Sequence, residues 1–166
     1  MSRVTDYLGD HGVAFQVLPH RRVVTSIEEA RALGVAADEV VKTVALLGRG
    51  GYVLAVVPAS WRLDLRLVRD QVSDPTVRLA TEGELLVDFP GYELGALPPL
   101  GSLLGVRMLV DPRVLEHGSV VFAGGVETES IAAPVAELFR DEPFQVAAVT
   151  GEHDPGATEP VGELER

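Results

Sequence analysis

Apolar positions along this chain follow two periods, and each change of period marks an element. From Val40 to Pro58 the pattern is almost continuously apolar. Val40-Val41-Lys42-Thr43-Val44-Ala45-Leu46-Leu47 is broken by Gly48-Arg49-Gly50-Gly51 and followed by Tyr52-Val53-Leu54-Ala55-Val56-Val57-Pro58. Short β-rich runs bounded by turn residues predict two neighbouring strands with both faces covered, joined by a glycine hairpin turn. The Gly48–Gly51 stretch lacks the lysine and Ser/Thr of a phosphate-binding loop.

Elsewhere the period lengthens. Val4, Tyr7, Leu8 and His11 at helical spacing predict a short first helix that stops at Gly12. Ala14 to Leu18 reads as a strand, and Ser26-Ile27-Glu28-Glu29 reads as a capping box opening a helix that ends at Gly34. Asp64 to Val72 is amphipathic, with Leu63, Leu67 and Val68 on one side and Arg62, Arg66 and Arg69 on the other. Val77 to Ala80 predicts a strand, and Thr81 with Glu84 caps a helix running to about Phe89. The stretch from Gly91 to Gly101 is too rich in Gly and Pro for a regular element and predicts a defined loop. Strands follow at Val106–Val110 and Ser119–Phe122, then the Gly124-Gly125 turn and Glu127 to Ala132 pairing back. A helix is predicted from about Pro134 to Arg140, and Phe144 to Val149 closes the sheet. Strands and helices mix without clean βαβ alternation, so the expected fold is mixed α/β, a largely antiparallel central sheet surrounded by helices.

Composition narrows the function classes. At 166 residues, 46% of them hydrophobic, the chain suits one compact domain, placed at residues 1–150. No apolar run reaches the roughly 18 residues of a membrane span, and the N-terminus lacks a secretory core, so a soluble cytoplasmic protein without membrane contact is expected. With no cysteine, thiol nucleophiles and thiolate metal sites are excluded. The net charge of −11 opposes broad nucleic-acid binding, and DNA is not an expected partner. Residues 151–166 hold five acids and one arginine among prolines and glycines, which predicts a disordered acidic tail.

Lys42 is the cation inside the central strand pair, and an ammonium among valines must reach an edge or be met by a partner. Its spacing alone allows a structural ion pair as readily as chemistry. The Gly95-Ala96-Leu97-Pro98-Pro99-Leu100-Gly101 segment reads equally as a rigid turn, and Asp111 before Pro112 as a turn or cap. His11, His20, His117 and His153 show no close ligand spacing, so no metal or cofactor is expected. There is no Gly-x-Ser-x-Gly elbow.

Four of these pieces, taken together, resemble the YbaK and prolyl-tRNA synthetase insertion family of aminoacyl-tRNA deacylases. They are Val41-Lys42-Thr43, Ala55-Val56-Val57-Pro58, Arg78-Leu79-Ala80 and the Gly95 to Gly101 loop, in that order. His20, Thr25, Asp111 and the Gly124-Gly125 turn fall at similar places, and the resemblance covers about residues 3 to 140. The chain departs from the pattern at Ala123, where one branch carries serine, and at Ser102, where another carries histidine.

The resemblance implies a trans-editing hydrolase that cleaves the ester of a mischarged small amino acid at the 3′ end of a tRNA, most simply proline tRNA, with water as nucleophile and no cofactor. It also implies association with an aminoacyl-tRNA synthetase. Lys42, Gly95 and Ala96 would stabilise the developing oxyanion, Lys42 as a point charge and the glycine by letting main-chain amides approach closely. His20, Thr25, Thr43, Leu97, Pro98, Pro99, Gly101, Asp111 and Gly125 would contact substrate. A noncatalytic module binding an aminoacyl-adenosine-like ligand or a tRNA end is the alternative.

Overall fold

The chain begins with a cap that its sequence dictates. In the computed structural model, which describes residues 2–153, the Ser2 side chain accepts from the Thr5 amide and Thr5 reaches back, starting α1 (Arg3–Asp10). Strand β1 (Gln16–Pro19) starts later than its apolar run suggests because the Ala14 amide donates to Glu137 at 2.9 Å. Helix α2 (Ser26–Leu33) is capped by Thr25 rather than Ser26, and Gly34 ends it in the left-handed conformation at φ 69°. A 3₁₀ turn (Ala37–Glu39) leads into β2 (Val41–Gly48) and β3 (Gly51–Pro58), which pair antiparallel from Val41 opposite Pro58 to Gly48 opposite Gly51.

The middle of the chain corrects one expectation. Leu63 and Arg62 lie in a short strand, β4 (Trp61–Leu63), and only then does Asp64 cap α3 (Leu65–Val72). The expected arginine face is therefore split: Arg62 is on a strand, while Arg69 Nε donates to the Val77 carbonyl at 2.8 Å. Strand β5 (Arg78–Leu79) and α4 (Glu82–Asp88) follow, the latter with the Thr81/Glu84 capping box in place. The Gly/Pro loop then runs to α5 (Gly101–Leu104) and β6 (Arg107–Val110). After a second 3₁₀ turn (Val114–Glu116) come β7 (Ser119–Ala123), β8 (Glu129–Pro134), a helix α6 (Val135–Leu138) shorter than its pattern, β9 (Gln145–Val146) and β10 (Thr150–His153).

Five strands form the main sheet in the order β5-β2-β3-β6-β9; its pairs are antiparallel except β3/β6 and β6/β9, which are parallel. A three-stranded antiparallel sheet, β1-β8-β7, stands beside it, and β10 pairs with β4. Residues 151–153, expected at the start of the tail, thus belong to a strand; the rest of that stretch lies outside the described residues.

Side chains alternate across β2 and β3, so each strand feeds two cores. Val41, Ala45, Leu54 and Val56 join the larger one with Phe122, Leu100 and Met108, while Val44, Leu46, Ala55 and Val57 pack with Val68 and Leu109. Burying each such side chain contributes about 1.5–3 kcal/mol. A third cluster, Ile27, Ala30, Val40, Ala59 and Val121, holds α2 against the junction of the two sheets. That junction positions the site.

Candidate functional site

Beyond the end of the third cluster lies a small, partly open recess whose lining includes His20, Thr25, Glu29, Gly95, Ala96, Ala123 and Ser130. Three loops build it. The segment after β1 is fixed to the β7–β8 turn by main-chain bonds from His20 to Thr128 and from Val23 to Glu127, both 3.0 Å. The Gly/Pro loop is fixed to the same turn, since the Gly125 amide donates to the Ala96 carbonyl at 3.0 Å and the Glu93 amide to the Gly125 carbonyl at 2.9 Å. Arg22 closes the rim with Nη1 at 2.5 Å from Glu127 and 3.3 Å from Glu93.

Gly95 is required where it stands. Its φ is +77°, and a Cβ built on it would lie 2.6 Å from the Val24 carbonyl oxygen. Only glycine lets the two loops meet this closely. Thr25 lines the recess, but its hydroxyl is occupied as the α2 cap, accepting from the Glu28 amide at 2.9 Å.

Lys42 is 93% buried on β2 and is not among the lining residues. Strand geometry places it nonetheless: Val40 bridges in parallel to Val121, and Lys42 and Ala123 each stand two residues further on, so both project to the face that carries the recess. Ala123 is paired in register with Ser130, so a hydroxyl enters the recess from the strand opposite the position where one branch of the family has serine.

Several expected contacts lie elsewhere. Thr43 points to the opposite face from Lys42, into the larger core beside Val41 and Val56. Leu97 packs in that core and Pro98 and Pro99 are buried; none of the three lines the recess. The Ala96 amide is committed to the Glu93 carbonyl at 3.1 Å and is not a spare donor. Gly101 is needed for packing, since a Cβ there would lie 2.8 Å from the Val106 carbonyl. Gly125 anchors the loop. Asp111 is a staple away from the recess, accepting from the Arg113 amide at 3.0 Å, the Val149 amide at 2.9 Å and the Thr150 hydroxyl at 3.1 Å. Ser102 is also structural: its amide donates to Glu142, whose other oxygen accepts from Tyr7, and burial together with that carboxylate pushes the Tyr7 phenol up to about 12.

The residue missed in the sequence is Glu29. It reads as the acid of a capping box, but Glu28 serves the helix start while Glu29 turns inward, 4% exposed. Its Oε2 accepts from the buried Ser130 hydroxyl, and His20 Nε2 lies 2.8 Å from the same hydroxyl. Burial pushes the Glu29 carboxyl up to about 7, against the lowering effect of the Ser130 hydrogen bond. The available signal was an acid placed four residues before Leu33 and flanked by Ile27 and Ala30 on an inward helix face. Among the described residues no cluster of three or more His, Asp or Glu side chains forms a metal-binding set.

Residues 20–140 match the aminoacyl-tRNA editing domain family, and the chain belongs to that family. It is 31% identical over 135 residues to the proline–tRNA ligase of Fervidobacterium nodosum, covering 80% of this chain and 23% of the ligase. With the proline–tRNA ligase of Pseudothermotoga lettingae it is 28% identical over 141 residues, covering 83% of this chain and 24% of the ligase. The chain thus spans about a quarter of the length of these relatives. Among solved structures it superposes on the hypothetical protein APE2540 with TM-score 0.81 at 28% identity, covering 90% of this chain and all of that one. A candidate trans-editing enzyme for prolyl tRNA synthetase gives TM-score 0.79 at 28% identity, with 90% and 96% covered. No helix among the described residues is long and apolar enough to cross a membrane.

Proposed function

We propose that this protein is a trans-acting aminoacyl-tRNA deacylase that hydrolyses the ester of a mischarged small amino acid, with proline tRNA as the first substrate to consider. It would act in the cytoplasm, on the 3′ end of the tRNA and in association with the synthetase that charges it. The observation that carries this reading is the meeting of Gly95, His20 and Thr25 at one recess on the face to which Lys42 projects. Hydrolysis of such an ester places negative charge on the carbonyl oxygen as water attacks, and a desolvated ammonium beside glycine backbone stabilises that charge where it develops. The ordered loops hold these groups before the substrate arrives, so the reaction itself requires little reorganisation. His20 and Thr25 border the space left for the amino acid.

The test is deacylation of proline tRNA carrying alanine, cysteine, serine or proline by wild type and Lys42→Ala. Hydrolysis of one noncognate species, reduced about 10²–10³-fold in the variant, is expected. No hydrolysis by folded wild type across a broad panel of charged tRNAs overturns the reading in favour of a binding module.

A further inference from the structure

The recess holds a titratable group that the scheme above leaves unused. Glu29 projects into it from α2, and its Oε2 is held by the hydroxyl of Ser130, itself 0% exposed. Behind Ser130 stands His20, with Nε2 at 2.8 Å from the hydroxyl and Nδ1 at 2.6 Å from the Arg21 carbonyl. A carbonyl only accepts, so Nδ1 carries hydrogen and Nε2 is the position that varies. The Ser130 hydroxyl has a single hydrogen to give. When it goes to an ionised Glu29, the N–H that meets the Ser130 oxygen belongs to an imidazolium. When Glu29 carries the proton it donates to Ser130, which donates in turn to a neutral Nε2. One proton is therefore shared along a line from the recess to a main-chain carbonyl.

We propose that Glu29 is the proton-transfer group of this recess, with Ser130 and His20 as the positioning residues that aim its carboxylate and share its proton. The inference rests on the deacylase reading. In the first step the Glu29 carboxylate takes a proton from water as the water oxygen bonds to the ester carbonyl carbon. The π pair of the carbonyl moves onto its oxygen, where Lys42 and the Gly95 backbone meet it. On collapse that pair re-forms the carbonyl, the bond to the ribose oxygen breaks with its electrons, and this oxygen takes the proton back from Glu29. One water is consumed, the amino acid and the ribose hydroxyl are released, and Glu29 returns to its starting state.

The surroundings single out Glu29 for this role. Of the other carboxylates lining the recess, Glu127 is tied to Arg22 at 2.5 Å, and Glu129, the first residue of β8, is only half-buried. His20 has both ring nitrogens engaged. The charged and titratable groups on the elements around Glu29 are Glu28 and Arg31 on α2, Lys42 on β2, and His20, Glu93, Glu127 and Glu129 in the loops and β8. Burial is what raises its carboxyl, and the Ser130 hydrogen bond is what opposes that rise. A base that is half ionised near neutral pH combines the required protonation state with useful basicity.

The experiment is the pH dependence of kcat/KM for deacylation, from about pH 5 to about pH 9, by wild type, Glu29→Gln, Glu29→Asp and Ser130→Ala. The substrate amino group titrates identically in every reaction, so differences between variants belong to the protein. Wild-type activity should rise with pH and level off above an inflection at about 7. Glu29→Gln should lose about 10²–10⁴-fold and the inflection with it, while Glu29→Asp keeps an inflection at lower rate. Ser130→Ala removes the hydrogen bond that lowers the carboxyl, and its inflection should move to higher pH. A Glu29→Gln protein that is fully folded under the assay conditions, retains the inflection and stays within about threefold of wild-type activity overturns the inference and leaves the deacylase reading standing. Absence of wild-type hydrolysis overturns that reading first.

Discussion

Asp111 and Glu29 are both carboxylates shut away from solvent, at 1% and 4% exposure, yet the fold surrounds them differently. Asp111 receives two main-chain amides and a threonine hydroxyl, which tie the end of β6 to the segment entering β10. Glu29 receives a serine hydroxyl on one oxygen and opens onto a recess. A carboxylate filled with three donors from two backbone segments is a staple, because moving it would strand the donors as well as the charge. A carboxylate with one neutral donor pays for burial by holding its proton, which is the condition for proton exchange. From sequence the expectation ran the other way, with Asp111 at the substrate and Glu29 at a helix cap.

Removing the staple should have the largest effect. Asp111→Ala leaves the Val149 and Arg113 amides without their acceptor at a buried site, at roughly 1–3 kcal/mol each. A loss of about 4 kcal/mol in denaturant-induced unfolding is expected, and a loss below about 1 kcal/mol would show that water replaces the carboxylate.

Glu29→Gln should act on stability in the opposite direction and only above a certain pH. The folded-state pKa is raised from 4.5 to about 7, so the native protein holds this proton more tightly than the unfolded chain. Below pH 4.5 both states are protonated and the full contribution is present; between 4.5 and about 7 it is progressively lost as pH rises. The loss amounts to roughly 3 kcal/mol above pH 7, from about 1.4 kcal/mol per pKa unit. Glutamine does not ionise, so the variant should equal wild type near pH 4 and exceed it near pH 8. Equal unfolding curves at both ends would mean that Glu29 titrates normally in the native state.

Gly95→Ala probes the wall of the recess that Glu29 faces. The added Cβ would meet the Val24 carbonyl at 2.6 Å in a backbone at φ +77°, and neither atom belongs to a flexible side chain. Destabilisation of about 2 kcal/mol is expected, with a further fall in deacylation because the two loops must part. Wild-type activity in a stable Gly95→Ala protein would show that the close approach is not needed for the site.

What the sequence disclosed follows from local rules. The β2–β3 hairpin, the Gly34 stop and the Thr81/Glu84 cap are each set by residues within a few positions of one another, and all form as the pattern predicts. The Gly95 loop was legible because a left-handed residue at a close approach requires glycine. Glu29 was not, because its inward turn depends on Ser130, 101 positions away, and on a cap displaced by one residue to Thr25. The parallel pairing of β6 with β3 was equally invisible, since strand direction follows from connections through α3, α4 and α5 rather than from the apolar run itself.

Thr43 offers the smallest effect and the finest division between the two faces of β2. Its hydroxyl is buried without a hydrogen-bond partner among the described residues, beside a lysine that projects the other way. An unpaired buried hydroxyl costs roughly 1–3 kcal/mol against an apolar group of the same shape, and valine keeps the branch at Cβ that suits a strand. Thr43→Val should therefore gain about 1 kcal/mol in unfolding and leave deacylation unchanged, because the larger core receives the new methyl while Lys42 keeps its direction. A loss of activity together with that gain would place the hydroxyl in contact with substrate, and the pleat of β2 would then have to be broken near Lys42 so that both residues reach one site.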